Sequence, residues 1–519
     1  MNRREIIKGL AILPLAGAAP VPSVYAGREQ PPKRKGIYEK LGVRPIINGR
    51  GTITVIGGCR MLPEVEQAMQ EATLDYVSID ELMDAAGQKL AELTGAEWGM
   101  VTAGATAALI LATTGVVTGG DPDKLWQLPD LTGMKNEVII PKYSWTAYES
   151  AVRGVGVKMI TVETKEELEA ALGPNTAMVL VLAGRRSMNG PLSVKEIASL
   201  TKPRGVPILV DAAAEGLPLP NPHLSLGADL VAYSGGKYLA GPQCAGLLIG
   251  RKDLIKAAWV TSAPHHGFGR GYKVGREEVL GMLAGVEMWM KRDHEKEIKT
   301  WTKRLEYIAG KLKKIDGLTL DIEQPKPEEL SNPSPSLHVK WDTARIPMTG
   351  SEVEQLLWEG EPRIAVSGMG SFLPFPPNQR PTIMINTSQL NAGEEKIIAD
   401  RVFEVLSNPK PSQKTLAAPA SDLTGEWDVE MKFAAGTAHH RFSLFQKENA
   451  ITGTHHGTLV PREVAGTISG NEILLRSFYK ENGVRLSFEF TGTMNGANAM
   501  GGKLSLSEYG TAEWLAKRK

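Results

Sequence analysis

Between about Glu97 and Gly250, short apolar runs alternate with segments of helical period, a pattern that few folds can satisfy. The runs fall at 98–101, 137–140, 157–162, 177–182, 207–210, 229–232 and 246–249. Most are apolar throughout, as expected of strands covered by helices on both faces. The pattern predicts βαβ units around a large, mostly parallel sheet. Helices are expected over 63–74, 80–93, 105–117, 147–154, 165–172 and 194–201, with a long amphipathic one from near Arg276 past Trp289. After about Leu320 a smaller α+β segment follows, ending in a helix over 394–406.

Residues 407–421, with Asn408-Pro409-Lys410-Pro411 and Ala417-Ala418-Pro419-Ala420, have the composition of a linker. Beyond it, alternating runs such as 425–431, 442–445 and 484–490 are separated by the turn signals Lys447-Glu448-Asn449, Ser469-Gly470-Asn471, Glu481-Asn482-Gly483 and Asn495-Gly496. That spacing predicts an antiparallel meander of about eight strands, a lipocalin-like barrel or half-barrel. Trp427, Phe442, Phe445, Phe488 and Phe490 read as its core.

At the other end, Arg3-Arg4-Glu5-Ile6-Ile7-Lys8 precedes a short, Gly- and Pro-broken apolar stretch that closes on Val24-Tyr25-Ala26. The stretch is too short to span a bilayer stably. The paired arginines resemble a twin-arginine export signal with cleavage near Gly27; an ordinary secretory signal or a membrane anchor is the alternative. Lysine and arginine number 59 against 58 acids, a balance that argues against a nucleic-acid partner. Cys59 and Cys244 form no CxxC and suggest neither a disulfide framework nor a thiolate metal site.

Three segments carry chemistry. Asp211 closes an apolar strand, placing an acid at the carboxyl edge of the sheet, where open α/β sheets bind ligands. Lys237 follows the next strand within Ser234-Gly235-Gly236-Lys237. An acid and a lysine so placed suit pyridoxal phosphate: Asp211 would keep the ring nitrogen protonated, and Lys237 would hold the cofactor and then act as the base at the substrate Cα. The spacing also admits a helix-capping Asp and a solvated loop Lys. Upstream, Thr102-Ala103-Gly104-Ala105-Thr106 joins a strand to a helix through small residues, and its backbone N–H groups with the hydroxyls of Thr102 and Thr106 form an anion cradle.

Leu41-Gly42-Val43-Arg44-Pro45, Leu93-Thr94-Gly95-Ala96-Glu97, Gly133-Met134-Lys135-Asn136, Ser234-Gly235-Gly236-Lys237 with Gly241-Pro242-Gln243, Lys273-Val274-Gly275-Arg276 and Pro362-Arg363-Ile364 together resemble the selenocysteine synthase-like family of fold type I pyridoxal-phosphate enzymes. That family includes the L-seryl-tRNA selenium transferases and the D-glucosaminate-6-phosphate ammonia-lyase-like proteins, and the resemblance covers roughly residues 37–407. It implies an aspartate aminotransferase-like fold, with Lys237 and Asp211 catalytic. Thr102, Gly104, Ala105 and Ser234 would line the phosphate, and Arg363 would grip a substrate carboxylate. It also implies a homodimer or higher homo-oligomer. Members often carry a ring-stacking histidine where this chain has Ser144, which leaves Tyr143 or Trp145 as substitutes.

The expected organisation is a twin-arginine signal over 1–26, an N-terminal arm over 27–62, a large cofactor domain over 63–290, a small α+β domain over 291–407, a linker over 408–421 and an all-β domain over 422–519. The expected function is that of an exported, periplasmic lyase or transferase on a small amino acid or amino sugar acid, working by Cα deprotonation and β-elimination. An aminotransferase or racemase on the same cofactor is the rival, and a non-catalytic scaffold using the barrel is the contrast from another class. Export and charge balance both count against tRNA-dependent selenium transfer. No metal site is expected: in the pairs His439-His440 and His455-His456, neighbours on a strand face opposite ways. His265-His266 reads as a polar loop or active-site rim, and Cys244 as a small apolar residue opening the next strand.

Overall fold

The computed structural model describes residues 36–326, 330–369, 381–409 and 416–519; the expected export signal and part of the linker lie outside them. By packing, the described residues fall into two compact units, one within Met1–Glu71, Gly236–Gln243 and Ala284–Lys410, the other within Ala72–Gly235, Cys244–Leu283 and Pro411–Lys519.

In the second unit all seven expected strands form one sheet: β1 (Trp98–Thr102), β2 (Glu137–Pro141), β3 (Lys158–Val162), β4 (Thr176–Leu182), β5 (Ile208–Asp211), β6 (Leu230–Ser234) and β7 (Gly246–Gly250). Their order is β1-β7-β6-β5-β4-β2-β3, and all run parallel except β7, which is antiparallel to both its neighbours. Helix α1 (Ala105–Thr118) is apolar nearly all round, and Leu109, Ile110, Leu111 and Val117 are buried, as befits a helix enclosed on every side. It lies so close to the helix Lys252–Val260 that a side chain at Gly115 would press on the backbone of Ala258. The helix expected over 147–154 is a shorter one, Glu149–Arg153.

In the first unit an antiparallel sheet runs Ser367–Met369, Thr382–Asn386, Ser336–Trp341, Leu318–Glu323. The helices His294–Leu312, Gly350–Glu359 and Glu394–Ser407 enclose Leu305, Trp341, Val353, Ile383 and Val402 with it.

The C-terminal strands β8 (Gly425–Phe433), β9 (Gly436–Lys447), β10 (Ala450–His456), β11 (Pro461–Ser469), β12 (Glu472–Glu481), β13 (Val484–Met494), β14 (Ala499–Ser505) and β15 (Thr511–Arg518) form a closed antiparallel barrel. Closure by β8 on β15 leaves no exposed sheet edge. Trp427, Phe442, Phe488 and Phe490 line the interior as expected, but Phe445 faces solvent. Strand alternation requires this, because its neighbour Leu444 points inward.

Candidate functional site

Register brings the predicted residues of the large sheet to one edge. Thr102 on β1 and Ser234 on β6 both pair with Gly246 at the start of β7, so the three stand in a row across adjacent strands. Asp211 ends β5, the strand on the other side of β6, opposite Ala232. It is buried, and its Oδ1 accepts the N–H of Ala213 (3.1 Å). Because β7 runs backwards, its amino end lies beside the carboxyl ends of β1, β5 and β6.

Directly after Thr102, α1 begins at an N-cap Gly104 with φ +88°, and no side chain caps it. Its first turn carries no acid either. The leading N–H groups therefore point out with the positive end of the helix dipole, an arrangement that holds an anion. The Thr102 hydroxyl donates to the carbonyl of Gly104 (2.9 Å) and so shapes the turn. Gly246 has to be glycine, since a Cβ there would collide with the Gly104–Ala105 peptide.

Shortly after Asp211 in the chain comes a polar pair that no local motif announces. Glu215 and His223 are buried and joined at 2.7 Å, and Asn221 donates to the buried Tyr233 hydroxyl (2.7 Å). Burial pushes that phenol far above its usual range, with the Glu215 carboxylate adding to the effect. The pair brings together residues eight apart, and Glu215 and His223 sit in no spacing that sequence alone ties to Asp211.

Ser144, in the place of the family's stacking histidine, accepts the N–H of Leu182 (3.0 Å), the residue paired with Asp211 across β4 and β5. Of the two expected substitutes, Tyr143 donates its hydroxyl to the carbonyl of Leu192 (2.7 Å). Trp145 donates to Thr161 on the edge strand β3 (3.0 Å), three strands from β5 and therefore about 14 Å away. Ser144 is thus the member of this segment anchored next to Asp211, and it brings no ring.

Lys237 follows β6 by three residues and belongs, with Arg363, to the first unit. Its loop is held by the backbone: Cys59 donates to Gly236 (3.0 Å), Leu62 to Ala240 (3.2 Å) and Ala240 to Lys237 (2.9 Å). Arg292 donates to the carbonyl of Tyr238 (3.0 Å) while gripping Glu297 with two nitrogens (2.9 and 3.0 Å). Against the burial that would raise it, hydrogen bonds from His294 and Arg292 hold the Glu297 carboxyl below its ordinary value. Burial pushes the Cys59 thiol up to about 12, which removes it as a nucleophile. Arg363 donates from Nε to the carbonyl of Trp358 (3.0 Å), its guanidinium 5.0 Å from the Trp358 ring.

Two lesser candidates also find their places. His265 faces Asp80 (3.1 Å) and packs edge-on to Trp259. Cys244, expected as a buried residue opening a strand, is exposed, because β7 begins only at Gly246 and the cysteine stays in the preceding turn.

Taken together, the uncapped helix start, the Thr102–Gly246–Ser234 row and the buried Asp211 fit the phosphate and the ring nitrogen of pyridoxal phosphate. Residues 63–267 match the family model of Cys/Met metabolism PLP-dependent enzymes. The chain is 30% identical to D-glucosaminate-6-phosphate ammonia lyase of Salmonella typhimurium over 63% of its own length and 87% of that protein's. A solved structure of D-glucosaminate-6-phosphate ammonia-lyase superposes with a TM-score of 0.61 at 27% identity, over 72% of this chain and 99% of that one. A 5'-C-glycyluridine monooxygenase-decarboxylase of Streptomyces is 31% identical over 55% of this chain and 73% of that protein. An L-seryl-tRNA(Sec) selenium transferase of Moorella thermoacetica is 27% identical over 51% and 60%. The chain belongs to the selenocysteine synthase-like family of pyridoxal-phosphate-dependent enzymes of fold type I, and it carries an additional closed β-barrel after the shared region.

Proposed function

We propose that this enzyme is an ammonia-lyase-like catalyst of β-elimination on a small 2-amino acid or amino sugar acid. The likeness to D-glucosaminate-6-phosphate ammonia lyase, which extends over 87% of that protein, carries the reading. When bound, the cofactor supplies an electron sink for the negative charge left at a substrate Cα. The start of α1, shaped by Thr102 and flanked by Ser234, Gly104 and Ala105, holds the phosphate. Asp211, shielded from water, would keep a proton on the ring nitrogen. Lys237 would carry the cofactor and, once free, would take the substrate Cα proton on Nζ. Arg363 pairs with the substrate carboxylate. Loss of a β-hydroxyl as water, followed by hydrolysis, leaves a 2-oxo acid and ammonia.

The enzyme is further proposed to leave the cytoplasm by the twin-arginine route and to work as a homodimer or larger homo-oligomer. The paired Arg3-Arg4 supports the first, and the usual assembly of this fold the second. Incubation of the cofactor-loaded protein with 3-hydroxy-2-amino acids and 2-amino-2-deoxy sugar acids should release ammonia and a 2-oxo acid in equal amounts, with no acceptor added. Strict dependence on an added 2-oxo acid would make it an aminotransferase. Consumption of oxygen with release of carbon dioxide would favour a second reading, supported by the 31% identity to the Streptomyces monooxygenase-decarboxylase.

A further inference from the structure

Polar groups inside the barrel take no part in the chemistry above. His455 on β10 pairs with Phe442 on β9 and with Arg462 on β11, so the three share the inward face. His440 stands two residues before Phe442 on the same face, and Ser477 on β12 lies opposite Phe488. One histidine of each adjacent pair therefore turns inward, and the two meet: His440 Nδ1 is 2.7 Å from His455 Nε2, and His455 Nδ1 is 2.7 Å from the Ser477 hydroxyl. Outside, His456 contacts Ser443 instead.

Arg462 completes the cluster. It is only 6% exposed, and its guanidinium lies 4.6 Å from the Phe488 ring and 5.9 Å from the Tyr479 ring. Nε and Nη1 are shut off from water and have no hydrogen-bond partner, and among the described residues no carboxylate pairs with Arg462. A buried cation without a counter-charge is strongly unfavourable, and two sealed donors without acceptors add to the cost. The neighbouring rings carry no compensating charge: burial and the Arg462 charge hold His440 and His455 neutral, pushed down to about 4 and about 3. The cluster therefore presents one unmatched positive charge, two neutral rings and aromatic walls. It lies near the barrel end that carries the turns 434–435, 457–460 and 482–483.

We propose that the barrel binds a small organic acid, its carboxylate on Arg462 beside His440 and its carbon skeleton against Phe488 and Tyr479. A monoanion matches the single cation, and the aromatic walls favour a hydrocarbon body over an inorganic ion. An eight-stranded barrel is wide enough for one small ligand and little more.

Calorimetry on the full-length, cofactor-loaded enzyme tests this with benzoate, butyrate and inorganic phosphate. Benzoate should bind once per chain, about tenfold or more weaker in Arg462→Met, while turnover stays at the wild-type level. The same ligand should raise the melting temperature of the wild type and not of Arg462→Gln. Should Arg462→Met not fold, His440→Gln serves, with weaker benzoate binding expected. Binding that is unchanged in the Arg462 variants, or lost in Arg363→Met instead, would overturn the proposal. So would phosphate binding as tightly as benzoate, or no heat from either organic acid.

Discussion

In the proposed mechanism Asp211 and Lys237 would do separable work, and single substitutions should part them. Asp211→Asn keeps the size of the side chain and removes the charge proposed to hold the ring proton. We expect a loss of turnover on the order of a hundredfold with the cofactor still bound, checked by the visible absorbance of the protein alongside kcat. Lys237→Ala should abolish both the absorbance and activity, the latter by roughly a thousandfold or more. At this scale local geometry was legible wherever it is written locally: the acid ending a strand and the small-residue turn before a helix. Residues joined only by folding were not legible. The Ser144 bond to Leu182 and the Glu215–His223 pair depend on strand order and loop path, which no window of sequence contains.

Among the elements, β7 and α1 are coupled by contact. Gly246→Ala would drive a methyl group into the Gly104–Ala105 peptide and displace the start of α1. We expect weaker cofactor binding and a destabilisation of about 1–3 kcal/mol, measured by cofactor titration and by denaturant unfolding. In the barrel, His440 and His455 titrate near 6.5 when unfolded and near 4 and 3 when folded. The unfolded chain thus binds more protons, so their contribution is complete above about pH 6.5 and is lost as pH falls toward those folded values. The wild type should lose more stability between pH 7 and 4 than His455→Gln does, read by thermal melts across that range. Pattern marked the seven strands because most are apolar and buried through their length; the edge strand β3 (Lys158–Val162) is the partly exposed exception. The helix His294–Leu312 escaped notice because lysines and glutamates crowd its sequence and its buried face mixes Glu297 and Arg304 with Trp301, Leu305, Ile308, Ala309 and Leu312.

Across the whole molecule the linear order of domains and the packed units differ. Gly236–Gln243 packs with the described parts of Met1–Glu71 and Ala284–Lys410, although strands of the large sheet flank it in sequence on both sides. Local pattern reports which segments are strands and helices, not which distant segments share a core, so this interleaving was invisible in sequence. The export reading belongs to this scale as well. Replacing Arg3 and Arg4 together by lysine should leave the uncleaved precursor in the cytoplasm, as fractionation and immunoblotting would show.

The pairing of Ser234 with Gly246 bears on where this chain can be cut and rejoined. The lysine loop connects two adjacent antiparallel strands, so its ends are fixed side by side. New termini placed inside it by circular permutation would release Lys237 from one of its two anchors. The same operation at Asn495-Gly496, an exposed barrel turn far along the chain, leaves both anchors in place. A pair of permutants opened near Ala240 and near Gly496 would therefore separate what the enzyme needs as a continuous backbone from what it needs only as a fold.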